Sequence, residues 1–134
     1  MGDYTKVNLK SDVDDQAPNF GLSPNLEARF ARGKLELEKS GVSYQKVAPG
    51  FRVPFGHTHS EQEEVYVILA GGGRAKVGDD VIELQAFDAL RVAAGAWRGF
   101  EAGDEGVELV AFGARCGMGP DDNDTEMQPG WWKA

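Results

Sequence analysis

Cysteine occurs once in the 134 residues, at Cys116, and histidine only twice, at His57 and His59. A single thiol excludes an internal disulfide and fits a reducing compartment, so a cytoplasmic setting is expected. A catalytic thiol is not, because no second histidine-bearing segment stands ready to activate Cys116. No apolar run approaches the roughly 20 residues of a membrane-crossing helix, and the polar opening MGDYTKVNLK does not read as a signal peptide. Basic residues are in deficit. Against 14 Lys and Arg stand 22 Asp and Glu, giving a net charge of −8, a field that works against nucleic-acid binding. No fused DNA-binding segment is visible, which excludes a one-chain transcription factor. Long helical periodicity is missing, as are repeats and low-complexity tracts. Glycine, by contrast, is plentiful at 18, and the combination predicts short strands joined by tight turns. A chain of this length is one domain's worth and can bury about two thirds of its unfolded surface.

In chain order, the alternation Tyr4–Leu9 is read as an edge strand or a frayed terminus. Leu26 to Arg32 and Leu35 to Glu38 each alternate apolar with charged residues; they read as strands, or as one short helix broken at Gly33. A strand at Val42–Val47 should end in the turn Ala48-Pro49-Gly50. Val65 to Ala70 is apolar at both parities, so both faces need cover. Glu64, Tyr66 and Ile68 are expected inside, and Val65, Val67 and Leu69 beneath the N-terminal segment or a second subunit. Gly71-Gly-Gly reads as a tight connection; with no Lys-Ser/Thr behind it, it is not a phosphate loop. Strands follow at Arg74–Val77, Val81–Leu84, Asp88–Val92, Trp97–Glu101 and Val107–Gly113. Without strand-to-helix crossovers, the pattern predicts an all-β barrel or double-sheet jelly roll. Asp121-Asp-Asn-Asp reads as a solvated acidic loop, and Trp131 and Trp132 as anchors for the tail.

The chemistry concentrates in His57 to Gly71, HTHSEQEEVYVILAG. Alternate side chains of a strand share a face, which places His57 and His59 together with Cα atoms roughly 6.7 Å apart. Two imidazoles so placed can converge on one ion at about 2.0–2.1 Å. Glu64 lies an odd number of residues beyond His59, so a turn or bulge at Ser60–Gln62 is required to bring it onto the same face.

This segment resembles the first motif of the cupin superfamily: glycine, a short spacer, His-x-His, three or four residues, Glu, six residues, Gly. Gly50 opens it here with one spacer residue more than the usual five, and His57, His59, Glu64 and Gly71 fill the rest. Glu63 meets the first spacing, but only Glu64 meets both. The second motif is degraded. Gly95 holds its place, Phe87 stands at the first glycine, Ala93 at the proline and Ala102 at the asparagine, and Arg98 at the third metal-binding histidine. The likeness covers about Gly50 to Gly113, and the outer segments, PGWWKA included, look like small single-domain bacterial cupins. It implies an all-β double-stranded β-helix, a jelly-roll barrel, over residues 35–115. Residues 1–34 would be an N-terminal extension packed on the barrel or a partner, and 116–134 a tail.

By the same resemblance His57, His59 and Glu64 would ligate a divalent metal such as Fe, Mn, Ni or Zn. Arginine has no lone pair to offer a cation. A guanidinium about 5 Å from a divalent ion would be repelled by roughly 6–7 kcal/mol at an effective dielectric near 20. Arg98 therefore either pairs with Glu64 in a metal-free pocket or reaches past an intact two-His-one-carboxylate triad, and in both cases could clamp an anionic ligand; otherwise it points out of the barrel. Tyr66, Phe55 and Trp97 are the other candidate ligand-binding residues, each also a candidate for plain core. Two function classes follow: a binding or sensing module with a small-molecule pocket and a degenerate divalent-metal site, or a metal-dependent oxygenase or isomerase acting on a small anionic substrate. The doubly apolar strand and aromatic tail further predict a homodimer.

Overall fold

The computed structural model describes residues 2–114 and 124–133. Eight strands form one curled sheet: β1 (Leu26–Phe30), β2 (Ser40–Val47), β3 (Phe55–His59), β4 (Glu64–Val77), β5 (Asp80–Gln85), β6 (Ala89–Val92), β7 (Arg98–Ala114) and β8 (Thr125–Pro129). The long strand β7 organises the rest. Its second half pairs antiparallel with β2 on one side and with the first half of β4 on the other. Its first half takes the second half of β4, and Arg98 at its start faces His57 of β3. Hairpin partners β5 and β6 flank β4, β1 extends the sheet beyond β2, and β8 closes against β3. Such antiparallel wrapping is a double-stranded β-helix. Among the described residues helix is confined to a 3-10 turn at Ala17–Phe20 and one α-turn at Arg32–Leu35.

Alternation places the core as the inward faces dictate. Tyr66 and Ile68 of β4 meet Phe100 and Leu109 of β7, with Val47 and Val92 closing the layer. Ile68 and Leu109 are essentially solvent-free, and burying an aliphatic side chain of that size contributes about 1.5–3 kcal/mol.

Several readings of the sequence are corrected. Gly71-Gly-Gly is not a connection, because β4 runs through it as one strand of 14 residues, with register shifts between Ile68 and Ala70 and between Gly71 and Gly73. There β4 crosses so closely over β7 that a Cβ on Gly73 would collide with the Glu101 carbonyl oxygen. The expected strands Trp97–Glu101 and Val107–Gly113 likewise fall on one strand, which starts at Arg98 and whose residues 102–106 bend rather than break, Gly106 taking φ +75°. Leu35–Glu38 is not a strand; the Arg32–Leu35 turn stops at Glu36, in the left-handed region at φ 59°. Tyr4–Leu9 forms no strand.

The tail anchors on the chain's own barrel. Trp131 stacks on Trp97 with ring centroids 6.2 Å apart and fills the space left by Gly56, where a Cβ would come within 2.5 Å of the indole. Trp132 takes the Arg52 guanidinium over its ring at 4.4 Å. On the outside, N-terminal residues cover the β1–β2 face, where Lys10 sits over the Tyr44 ring and Arg29 bonds the Val13 carbonyl. The neighbouring patch of Val42, Val65 and Phe112, in register across β2, β7 and β4, stays partly open, with Phe112 46% and nearby Leu69 43% exposed.

Candidate metal centre and its cavity

Strand alternation sends Phe55, His57 and His59 of β3 to the barrel interior, while Gly56 turns outward against Trp131. β3 ends at His59 and β4 begins at Glu64, so residues 60–63 supply the irregular stretch that the odd spacing demands. The result brings one nitrogen from each imidazole and a Glu64 oxygen within 4.8 Å of one another. Glu64 Oε1 lies 3.6 Å from His57 Nε2 and 3.4 Å from His59 Nε2. Two donors about 2.1 Å from a tetrahedral ion stand about 3.4 Å apart, so the spacing suits a shared cation. Glu63 turns outward, is 63% exposed and faces Arg91.

Asp124 sets the state of His59. Its Oδ1 lies 2.9 Å from His59 Nδ1 and also accepts from the Gln62 amide, and its Oδ2 accepts the backbone N–H groups of Glu61 and Gln62 at 3.0 Å. Since the carboxylate only accepts, the neutral ring carries its proton on Nδ1 and presents a lone pair at Nε2. That Nε2 is buried and has no hydrogen-bond partner among the described residues. A buried, unpaired imidazole nitrogen aimed at a carboxylate, with its other nitrogen held by a second carboxylate, is the donor set of a metal-binding histidine. The three residues fit a divalent ion.

Glu64 has other partners. Arg98, fully buried at the start of β7, donates from Nη1 to Glu64 Oε1 at 3.2 Å and from Nη2 to the Ala93 carbonyl. The Tyr66 hydroxyl also donates to Oε1 and lies 3.4 Å from His57 Nε2. Burial would raise the Glu64 pKa, yet His57, His59 and Tyr66 hold it well below the usual carboxylate range. Burial likewise opposes the charge on Asp124, and the bonds from His59 and the backbone outweigh it, so it too stays ionised. The histidines diverge. Burial presses the His57 pKa below its ordinary value, whereas at His59 the same penalty is overcome by Glu64 and Asp124, which raise it. Burial and then the Glu64 charge push the Tyr66 pKa up, so it remains a phenol.

Above this floor opens a cavity of about 370 Å³. Phe55 and Tyr66 line it, whereas Trp97 lies against Trp131 and Arg98 sits behind Glu64, neither among the lining residues. Sequence reasoning missed Asp124 and Gln62. It read Asp124 as part of a solvated acidic loop, but its side chain is only 2% exposed. Only strand pairing brings it here, through Thr125 of β8 opposite His59. Residues 121–123 of that loop, and Cys116, lie outside the described residues.

A double-stranded β-helix with a two-histidine-one-glutamate cluster on its inner face defines the class of protein. The narrower assignment follows from the sequence: residues 43–113 match the cupin domain model, and the chain belongs to the cupin family. A cupin protein from Bacteroides fragilis is 27% identical with a TM-score of 0.70, over 92% of this chain and 93% of that one. KdgF from Halomonas sp. is 13% identical at a TM-score of 0.64, over 85% of this chain and 94% of that one. Oxalate decarboxylase from Bacillus subtilis is 18% identical at 0.73; the match covers 94% of this chain and 33% of the decarboxylase. The last two likenesses concern the fold alone. No curated protein sequence matches the chain. Among the described residues no helix is long and apolar enough to cross a membrane.

Proposed function

We propose that this chain is a metal cupin in which His57, His59 and Glu64 hold a divalent first-row ion, such as Fe, Mn, Ni or Zn, beneath a pocket for a small molecule. One observation carries the reading: His59 Nε2 is buried without a hydrogen-bond partner, 3.4 Å from Glu64, while Asp124 holds the opposite nitrogen. Three protein ligands leave coordination positions free toward the cavity. An ion there supplies Lewis acidity toward a carbonyl or, as iron or manganese, redox chemistry with oxygen, the needs of an isomerase or an oxygenase. Around it Asp124 orients His59, and Arg98 and Tyr66 hold the Glu64 carboxylate in place. Phe55 and Tyr66 face the ligand. The test is elemental analysis of protein purified without chelator, alongside His57→Ala. One ion per chain, lost in the variant, is expected; a trace content indifferent to the substitution rejects the site.

A second reading is favoured by the Arg98 contact. Guanidinium and phenol already satisfy Glu64 Oε1, as in a binding module that needs no metal. Unaltered ligand binding after exhaustive chelation would select it. We further propose a homodimer through the open Val42–Val65–Phe112 face, since monomers rarely leave large contiguous apolar patches exposed. A single monomeric species in sedimentation at micromolar concentration would exclude it.

A further inference from the structure

The cavity above the metal centre divides sharply by chemistry. Its ionisable groups His57, His59 and Glu64 gather at the floor with Tyr66, and its walls are mostly apolar, with Leu26, Phe30, Val53, Phe55, Phe100 and Met127 set against the polar Arg32, Ser43 and Gln45. Charge balance is as telling. Among the described lining residues Arg32 is the one Lys or Arg, and its guanidinium is taken up by the backbone carbonyls of Ser40 and Glu38. Arg98, the cation that could have met a ligand carboxylate, is fully buried against Glu64. The lining holds two carboxylate side chains, Glu64 and Asp124, against that one engaged guanidinium, so a multiply charged acid would find little counter-charge beyond an ion at the floor. Three large apolar side chains of the lining are exposed, Phe20 by 65%, Phe30 by 55% and Met127 by 50%. Such an apolar rim above a polar floor is the lining expected of a ligand site.

We propose that the cavity takes an apolar, ring-bearing molecule that enters with one oxygen-bearing end toward the His57–His59–Glu64 floor and leaves its carbon body against Phe30, Phe55 and Met127. A compact dicarboxylate is the wrong shape and charge for it. The volume lies near the lower end of the range for pockets that enclose drug-sized ligands, room for roughly one or two rings. For the oxygen-bearing end this inference rests on the metal reading above; for the apolar body it rests on the walls alone.

The test separates the two. Titration calorimetry of the Mn²⁺-loaded protein would compare phenylpyruvate, pyruvate and oxalate; the first two share a chelating 2-oxo acid head and differ in body, and oxalate is a compact dicarboxylate with a second charge. Phenylpyruvate should bind about tenfold or more tighter than either small acid. Phe30→Ala, at an exposed position that should not disturb folding, should abolish most of that advantage and leave pyruvate unchanged. In parallel, 2-naphthol is titrated into chelator-treated protein, where no metal takes part. Binding of 2-naphthol that weakens in Phe30→Ala supports the apolar site even if no metal is retained, the outcome that would sink the metal reading alone. Pyruvate equalling phenylpyruvate, or 2-naphthol failing to bind the chelator-treated protein, overturns the inference. So does 2-naphthol binding that disappears as protein concentration rises, since a second copy would then occupy the rim.

Discussion

Four groups converge on Glu64 Oε1. Arg98 and Tyr66 donate to it, and two imidazole nitrogens lie within 3.6 Å. Arg98 both steadies the carboxylate and repels any ion bound beside it, and the two effects can be separated. Arg98→Met removes one half of a buried pair, a change that typically costs about 3–5 kcal/mol. Metal-free protein should lose about that much in urea denaturation. Metal affinity should nevertheless rise about tenfold or more, because a cation close to the ion is gone. Chelator competition measures this, and a fall in affinity would show that Arg98 serves chiefly to aim Glu64. Asp124 acts through His59. In Asp124→Asn the amide keeps the shape but not the charge, so metal affinity should drop about 10–100-fold. The His59 pKa, followed by NMR in metal-free protein, should fall as well; a purely structural role for Asp124 would leave that pKa where it is.

At the scale of elements, β4 and β7 hold the barrel together and cross at the triple glycine. Gly73 has no room for a methyl group, whereas a Cβ on Gly41 in β2 would meet nothing within 4 Å. Gly73→Ala should therefore cost about 1–3 kcal/mol or more, while Gly41→Ala stays within about 0.5 kcal/mol of the parent. Equal midpoints in urea would mean that the crossing relaxes freely. The same crossing shows why parts of the sequence were legible and others not. The inward alternation of β4 and the His57–His59 pair were readable, since each follows from a period of two along one strand. Three glycines in a row read locally as a turn; only the β7 backbone passing beneath them makes them a strand. The likeness to cupin motifs located Arg98, but its fate depended on register: opposite His57, it had to face inward. Asp124 was beyond local reading altogether, because it acts on a residue 65 positions earlier through the pairing of β8 with β3.

For the whole molecule, the two histidines give the metal-free fold a pH optimum that neither would give alone. The His57 pKa lies below 6.5, so the folded state binds fewer protons than the unfolded chain as pH falls beneath that value. Its contribution is present above pH 6.5 and lost below. The His59 pKa lies above 6.5, so the folded state holds a proton that the unfolded chain releases. That contribution is complete below 6.5 and lost as pH climbs through the raised value. The two slopes meet near pH 6.5, and between pH 6 and 8.5 few other side chains titrate to obscure them. Further down, Glu64 and Asp124, whose depressed pKa values stabilise the fold above 4.5 and 3.8, give up that contribution as the medium becomes acidic. Metal reverses the alkaline limb, because an ion at Nε2 competes with the same proton. Chelator-treated protein should thus show a Tm maximum near pH 6.5 and decline toward 8.5. With saturating Zn²⁺ the Tm should go on rising through that interval until His59 is fully deprotonated. His59→Gln should remove both the decline and the rise. A metal-free Tm that climbs steadily from pH 6 to 8.5 would mean that Asp124 and Glu64 do not hold a proton on His59, and with it the proton–metal competition would fall.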